Sequence, residues 1–216
     1  MKKIISIITI VFSLAIAAVS QPPQAAATPE KPAAVYADLV KKVAAGDTSV
    51  DFKAMRMAYT ETDDYSSYGM DSATRSKMFQ LLDQKKYKEA LDVAADELKT
   101  NYVEMNAHIV SSIAYRGLGE TAKADFHKAV YLGLVNSVVV GVTGDSAKSA
   151  YTVISVPEEY VIVSALGLRR SGQALQNENG HKYDVLTVMD PETNKTRSLY
   201  FNIDIVWKGY DKLFKN

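Results

Sequence analysis

Three histidines supply the side chains best suited to acid–base or metal chemistry, because the chain contains no cysteine. His108 and His127 each fall on a helical stripe with apolar neighbours, and neither has a second histidine four residues further on. The sequence therefore lacks the H-x-x-x-H pattern of a helical zinc site. We interpret both histidines as packed or groove-facing binding residues, and we predict neither a metal nor a cofactor.

A second candidate for chemistry is the string GVTGDSAKSAY at 141–151. Its Gly144-Asp145-Ser146 block is similar to the Gly-Asp-Ser block of some lipolytic hydrolases. The sequence has no Asp-x-x-His to supply the base, and the string leads into a strand rather than a helix. A loop between two parts of the fold is the favoured interpretation, and a small hydrolase is the alternative.

Tyr200, Asn202 and Asp204 alternate along one face of a predicted strand. A side chain from a neighbouring strand, such as Asp184 or His181, would complete a polar patch that contains a base. Such a patch would suit the hydrolase alternative, and the concave side of the sheet would suit a small-ligand carrier. The simpler interpretation is the solvated face of an antiparallel sheet.

Tyr65 and Tyr68 lie in a polar loop, TETDDYSSYGMD at 60–71. Tyrosine gives a recognition surface a large contact area and a polar tip. We predict that the two rings line one rim of a binding groove. The alternative is that both rings cover the apolar edge of the first helical repeat.

The charge balance argues against a polyanionic partner, since 25 basic and 25 acidic residues leave a net charge of +0. We expect a protein or peptide partner and no nucleic acid. Residues 1–20 have the pattern of a secretory signal peptide, with two lysines before an apolar run over 4–19. That run is shorter than the ~20 residues of a spanning helix. We therefore predict cleavage after Ser20 or Ala27, no membrane span in the mature form, and a periplasmic or secreted bacterial protein.

Residues 21–34 are rich in proline and alanine and are predicted to form a flexible leader, whereas residues 35–140 follow a helical period. The strings KKYKEALDVAADEL at 85–98 and GETAKADFHKAVYL at 119–132 repeat at a spacing of 34 residues, the tetratricopeptide period. Ala90 and Ala124 share one position of this repeat, where antiparallel helices approach most closely. We predict two tetratricopeptide-like helical hairpins, capped at one end by helices within 35–59.

Residues 141–216 change to a period of two. Strands are predicted at 167–176, 181–189 and 197–207, with a further strand at 150–156. A short helix follows Ser155, and Glu158 and Glu159 fall in its first turn, where carboxylates interact with free N–H groups. The predicted fold class is α+β, with tetratricopeptide-like helical hairpins followed by a small antiparallel β-meander packed on the helices.

Several strings of this sequence are distinctive: FHKAVYLGLVNSV, AYTVISVPEEY, GQAL and GHKYDVLTVMDPETNKTRSLYFNID, together with the loop that carries Tyr65 and Tyr68. They resemble an exported bacterial family of unknown function, the domain-of-unknown-function family 4919. The resemblance covers residues 35–204 and implies export, but it assigns no site. Stacked helix pairs present a concave face suited to a peptide or protein segment, and the sequence offers no convincing catalytic constellation. We therefore predict a non-catalytic protein- or peptide-interaction module of the bacterial cell envelope.

Overall fold

The computed structural model describes residues 31–213, and the predicted signal peptide and most of the leader lie outside this range. The described residues form eight α-helices and a four-stranded sheet. None of these helices is both long and apolar enough to cross a membrane. The helices are α1 Pro32–Ala44, α2 Phe52–Tyr59, α3 Ser72–Asp83, α4 Tyr87–Thr100, α5 Met105–Gly117, α6 Thr121–Val139, α7 Val156–Ala165 and α8 Asp204–Leu213. The strands are β1 Tyr151–Thr152, β2 Arg169–Glu178, β3 His181–Met189 and β4 Thr196–Asn202.

The first two helices pack against each other, and α2 also contacts α6. α1 begins inside the segment that the sequence assigned to the leader, because the fixed φ and missing N–H of Pro32 suit a first helical turn. The Asp51 side chain caps α2 by accepting a hydrogen bond from the backbone N–H of Ala54. The ring of Phe52 lies directly on the backbone of α6 at Gly133, where a Cβ atom would collide with it.

Two helical hairpins follow, α3 with α4 and α5 with α6, at the positions that the sequence repeat predicted. Ala90 and Ala124 are fully buried, as expected for the close approach of antiparallel helices. Within the second hairpin the Ser112 hydroxyl donates to the backbone oxygen of Ala124 at 2.8 Å. The prediction of helical hairpins followed by a small sheet is confirmed.

The sheet has the strand order β1-β4-β3-β2. β2, β3 and β4 form the predicted antiparallel meander, whereas β1 is parallel to β4 and only two residues long. β1 is shorter than predicted because α7 begins at Val156, inside the segment expected to be a strand. β2 is an edge strand, and a bulge interrupts its pairing with β3 between Arg170 and Gly172. Within residues 31–213 no strand pairs with its outer side.

The prediction of a strand over 197–207 is wrong beyond Asn202, where α8 takes over. Alternating apolar residues continue into the helix, but the local hydrogen bonds turn the chain. The Asn202 side-chain oxygen accepts from the backbone N–H of Asp204 at 3.1 Å, which forms a local turn directly before the helix. The backbone N–H of Trp207 then donates to the oxygen of Ile203 at 2.8 Å.

One apolar core joins the helices to the sheet. Its fully buried members come from α1, α2, α6, α7, β3 and β4, and they include Val43, Met55, Leu134, Ile162, Leu186 and Phe201. A smaller cluster lies between α3, α4 and α5 around Met78 and Ala94. The shared core fixes α7 between the second hairpin and the meander, so α7 can contribute side chains to both.

Candidate functional site

A groove opens between the two hairpins and α7, with a volume of 380 Å³. Phe79 of α3, Ile109 of α5 and Tyr160 of α7 line it, and Arg75 of α3 also lines it. A second depression of 690 Å³ lies alongside and shares Ile109, so the two meet on the exposed side of α5. We call this combined surface the α5 groove.

The α5 groove exposes apolar side chains beside positive charge. Phe79 is 37% exposed, Tyr160 36% and Ile113 45%. Arg75 and Lys128 line the groove and form no ion pair with any side chain in the described part of the chain. The groove also contains Arg116 and Asp125, which pair with each other at 2.6 Å. The net lining charge is therefore positive.

His108 of α5 and His127 of α6 contact each other, with their Nδ1 atoms 3.0 Å apart. Nε2 of His108 lies 3.0 Å from the backbone oxygen of Tyr102. Burial lowers the pKa of His108 to about 3 and that of His127 to about 4, so both rings are neutral at pH 7. His127 also stacks on Tyr115, with ring centroids 5.5 Å apart.

The carbonyl of Tyr102 determines the tautomers of this pair. A carbonyl oxygen only accepts, so His108 must carry its proton on Nε2. Its Nδ1 is then an acceptor, and His127 must donate from Nδ1. The remaining nitrogen of His127, Nε2, keeps a lone pair. Neither histidine lines the α5 groove.

Arg56 of α2 and Glu158 of α7 form a buried ion pair that joins two distant parts of the chain. Arg56 Nη2 donates to Glu158 Oε2 at 2.6 Å, and Nε donates to Oε1 at 3.0 Å. The backbone N–H of Ile154 donates to the same carboxylate at 2.8 Å. The expectation that Glu158 serves only the start of α7 is therefore wrong.

Glu159 is also buried rather than exposed at the helix start, since its relative exposure is 0%. Its carboxyl group lies beside that of Asp184 on β3, and Gln173 of β2 donates to Asp184 Oδ2. Burial, together with the neighbouring Asp184, raises the pKa of Glu159 to about 9, and burial also raises the pKa of Asp184. The Tyr160 hydroxyl donates to Gln173 Oε1 at 3.3 Å, which links this pair to the α5 groove.

The two loop tyrosines occupy different environments. The Tyr65 hydroxyl donates to the backbone oxygen of Ile154 at 2.7 Å, and its ring lies edge-on against Tyr59. Tyr68 is 53% exposed and contacts Tyr210 of α8, with centroids 4.8 Å apart. Neither tyrosine lines the α5 groove.

Asn202 and Asp204 come together with His181 at the junction of β4 and α8. His181 Nδ1 lies 2.6 Å from Asp204 Oδ2, and the backbone N–H of Lys182 donates to Asp204 Oδ1 at 2.8 Å. Although burial opposes them, these hydrogen bonds lower the pKa of Asp204. Tyr200 pairs with Val185 rather than with this cluster. Asp184 does not join it, because Asp184 pairs with Phe201 on the buried face.

Side chains within the loop at 141–151 form hydrogen bonds with one another. The hydroxyl groups of Ser146 and Ser149 are 2.8 Å apart, and Ser149 donates to Asp145 Oδ1 at 2.7 Å. The three histidines of the chain all make their hydrogen bonds elsewhere. The loop thus has the local bonding of a turn that leads into β1.

One comparison with known proteins finds a match to a protein family. A model of the family described as Domain of unknown function (DUF4919) matches residues 26–212. The chain belongs to the DUF4919 family. No curated protein and no solved structure matches this DUF4919 member.

Sequence reasoning missed three contacts in this DUF4919 member: the histidine pair and the buried partners of Glu158 and of Glu159. It weighed His108 and His127 separately, although they lie at nearly equal distances along the chain from the turn at Leu118 and therefore meet in an antiparallel hairpin. That symmetry was a usable signal. The burial of Glu158 and Glu159 gave no such signal, because Arg56 and Asp184 lie far from them in sequence.

Proposed function

We propose that this chain is a non-catalytic interaction module that binds a protein or peptide segment in the α5 groove. The observation that carries the proposal is a groove wall with exposed Phe79, Ile113 and Tyr160 beside Arg75 and Lys128. Apolar and aromatic side chains in a depression are the usual anchors of a peptide interface. The cations favour a segment that carries at least one carboxylate between its apolar side chains.

The architecture supports the same proposal. Paired antiparallel helices related to tetratricopeptide repeats present one face of successive helices to a partner. Here α3 and α5 contribute to that face, and α7 closes it from the side of the sheet. Truncation of an aromatic or apolar anchor at the centre of an interface costs about 2 kcal/mol or more in binding, which corresponds to more than about tenfold in affinity.

Selection from a phage-displayed random peptide library tests the proposal without knowledge of the natural partner. We expect the selected peptides to contain apolar residues next to Asp or Glu. Phe79→Ser and Ile113→Ser should each weaken their binding by about tenfold or more, and Lys128→Gln should weaken the acidic peptides selectively.

Leu132→Ser is the matched control, since Leu132 is 43% exposed on α6 and does not line the groove. It should leave affinity within about twofold. Each of these substitutions is at an exposed position and should change the free energy of unfolding by less than about 0.5 kcal/mol. Selected peptides that bind Phe79→Ser and Ile113→Ser as well as the wild type, or a selection that yields no binder, would refute the groove.

We further propose that the module acts in the bacterial cell envelope after export. The support is the charged and apolar pattern of residues 1–20. N-terminal sequencing of the protein from fractionated cells should find Gln21 or Thr28 first. A cytoplasmic protein that begins at Met1 would contradict the proposal.

A further inference from the structure

The carboxyl groups of Glu159 and Asp184 contain three buried oxygen atoms that no donor in the described part of the chain reaches. These atoms are both carboxyl oxygens of Glu159 and Oδ1 of Asp184. An ionised carboxylate only accepts hydrogen bonds, so two adjacent carboxylates cannot satisfy each other. Two negative charges buried side by side would also repel each other strongly. A single proton held between the groups supplies the missing donor and removes one charge.

We propose that Glu159 and Asp184 share one proton, and that loss of this proton changes the wall of the α5 groove through the side chain of Gln173. The proposal rests on the peptide-binding function proposed above, because it describes how that groove is regulated. The proton released on ionisation passes to water, and no other bond is formed or broken.

The connection to the groove is a continuous set of contacts. Gln173 donates its amide N–H to Asp184 and accepts from the Tyr160 hydroxyl with its amide oxygen. Arg170 Nη1 donates to the same amide oxygen at 3.0 Å, and its guanidinium lies 5.0 Å from the centre of the Tyr160 ring. Any displacement of Gln173 or Arg170 therefore moves Tyr160, which lines the groove.

The charges around the pair determine the direction of this effect. Arg170 of β2 favours the ionised forms of Glu159 and Asp184, and Tyr210 of α8 also interacts electrostatically with both carboxyl groups. Glu158 is the nearest acidic neighbour on α7, and its charge is compensated by Arg56. Once the proton is lost, the doubly charged pair attracts Arg170 more strongly, so Arg170 leaves Gln173 and the Tyr160 ring. High pH should therefore loosen this wall of the groove.

Carbon-13 NMR of the side-chain carboxyl groups tests the shared proton on the free protein. We expect one carboxyl of the pair to titrate far above its usual range, near the pKa of about 9 given above for Glu159. Glu159→Gln should remove this titration, and Asp184→Asn should lower its midpoint because the neighbouring charge is gone. Glu178→Gln is the control, since Glu178 is exposed at the far end of β2, and it should leave the midpoint unchanged.

The same titration tests the link to the groove. The Gln173 amide and Tyr160 ring resonances should shift with the midpoint of the carboxyl pair in the wild type and stay constant in Glu159→Gln. If both carboxyl groups titrate below about pH 5, where ordinary carboxyl groups do, the shared proton is refuted. If the pair titrates high while Gln173 and Tyr160 do not respond, the regulation is refuted. The wild-type spectra decide both points even if a variant fails to fold.

The affinity of the selected peptides for the groove provides a third measurement. Their affinity for the wild type should fall between pH 7 and pH 9.5 by about fivefold or more, and Glu159→Gln should keep its affinity over this range. An equal loss in both proteins would show that the pair does not regulate the groove. Failure to select any peptide refutes the binding function alone, because the NMR titration of the free protein stands independently.

Discussion

Replacement of Arg56 by methionine should destabilise the protein more than any change on its surface. Arg56 is 1% exposed, and the substitution removes both of its hydrogen bonds to Glu158, whose side chain is 7% exposed. Among the described residues, the carboxylate then keeps only the backbone N–H of Ile154 as a donor. Loss of one partner from a buried ion pair costs about 3–5 kcal/mol, because the other charge remains buried and unpaired. Domains of this size are typically stable by only about 5–15 kcal/mol.

Urea unfolding at pH 7, followed by circular dichroism, measures this cost. The double variant Arg56→Met/Glu158→Gln contains no unpaired buried charge, so it should be more stable than Arg56→Met by about 2 kcal/mol or more. Arg116→Met breaks an exposed pair with Asp125 and should cost less than about 1 kcal/mol. A double variant no more stable than Arg56→Met would show that the buried charge is not the source of the cost. If Arg56→Met does not fold, the single variant Glu158→Gln is compared with the double variant instead.

Two further predictions concern His108 and His127. Folding lowers the pKa of His108 to about 3, so neutral His108 stabilises the folded state fully above the unfolded-state pKa of about 6.5. This stability is lost as the pH falls, and at pH 5 the loss is about 2 kcal/mol. The raised pKa of Glu104 acts in the opposite direction. The measured quantity is therefore the free energy of unfolding of the wild type minus that of His108→Gln, at pH 7.5 and at pH 5. A difference that is the same at both pH values would contradict the prediction. Nitrogen-15 NMR at pH 7 should show His108 protonated on Nε2 and His127 protonated on Nδ1; His127 protonated on Nε2 would refute the hydrogen-bond order that begins at Tyr102.

Periodicity predicted the elements that bury one face and leave the other exposed. Local sequence alone accounts for the apolar stripe of α1, for the hairpin turns beside Tyr87 and Thr121, and for the alternation of β3. The same alternation failed at Ile203, where apolar residues continue but the Asn202 side chain forms a local turn before a helix. A period of two does not separate a strand from an amphipathic helix over so few residues, so this boundary depended on a hydrogen bond that periodicity does not encode.

The candidate site was less predictable than the fold, because its contacts join distant segments. His108 and His127 were identified as candidates, and only the hairpin register shows that they touch. Glu159 was assigned to a helix start, since nothing near it in sequence indicates that Asp184 lies beside it. The α5 groove combines side chains of five helices and has no motif of its own. Such arrangements depend on tertiary packing, which a single sequence does not display.

An edge strand offers unpaired N–H and C=O groups to the backbone of another molecule, and β2 is such a strand over ten residues. Leu175, which is 56% exposed, adds apolar surface to it. The bulge after Arg170 bends the ladder, so a straight strand from another molecule cannot pair along the full length. Arg169 and Arg170 also place positive charge at one end of the edge. The irregularity of β2 thus shortens the straight edge that another strand could pair with to residues 172–178.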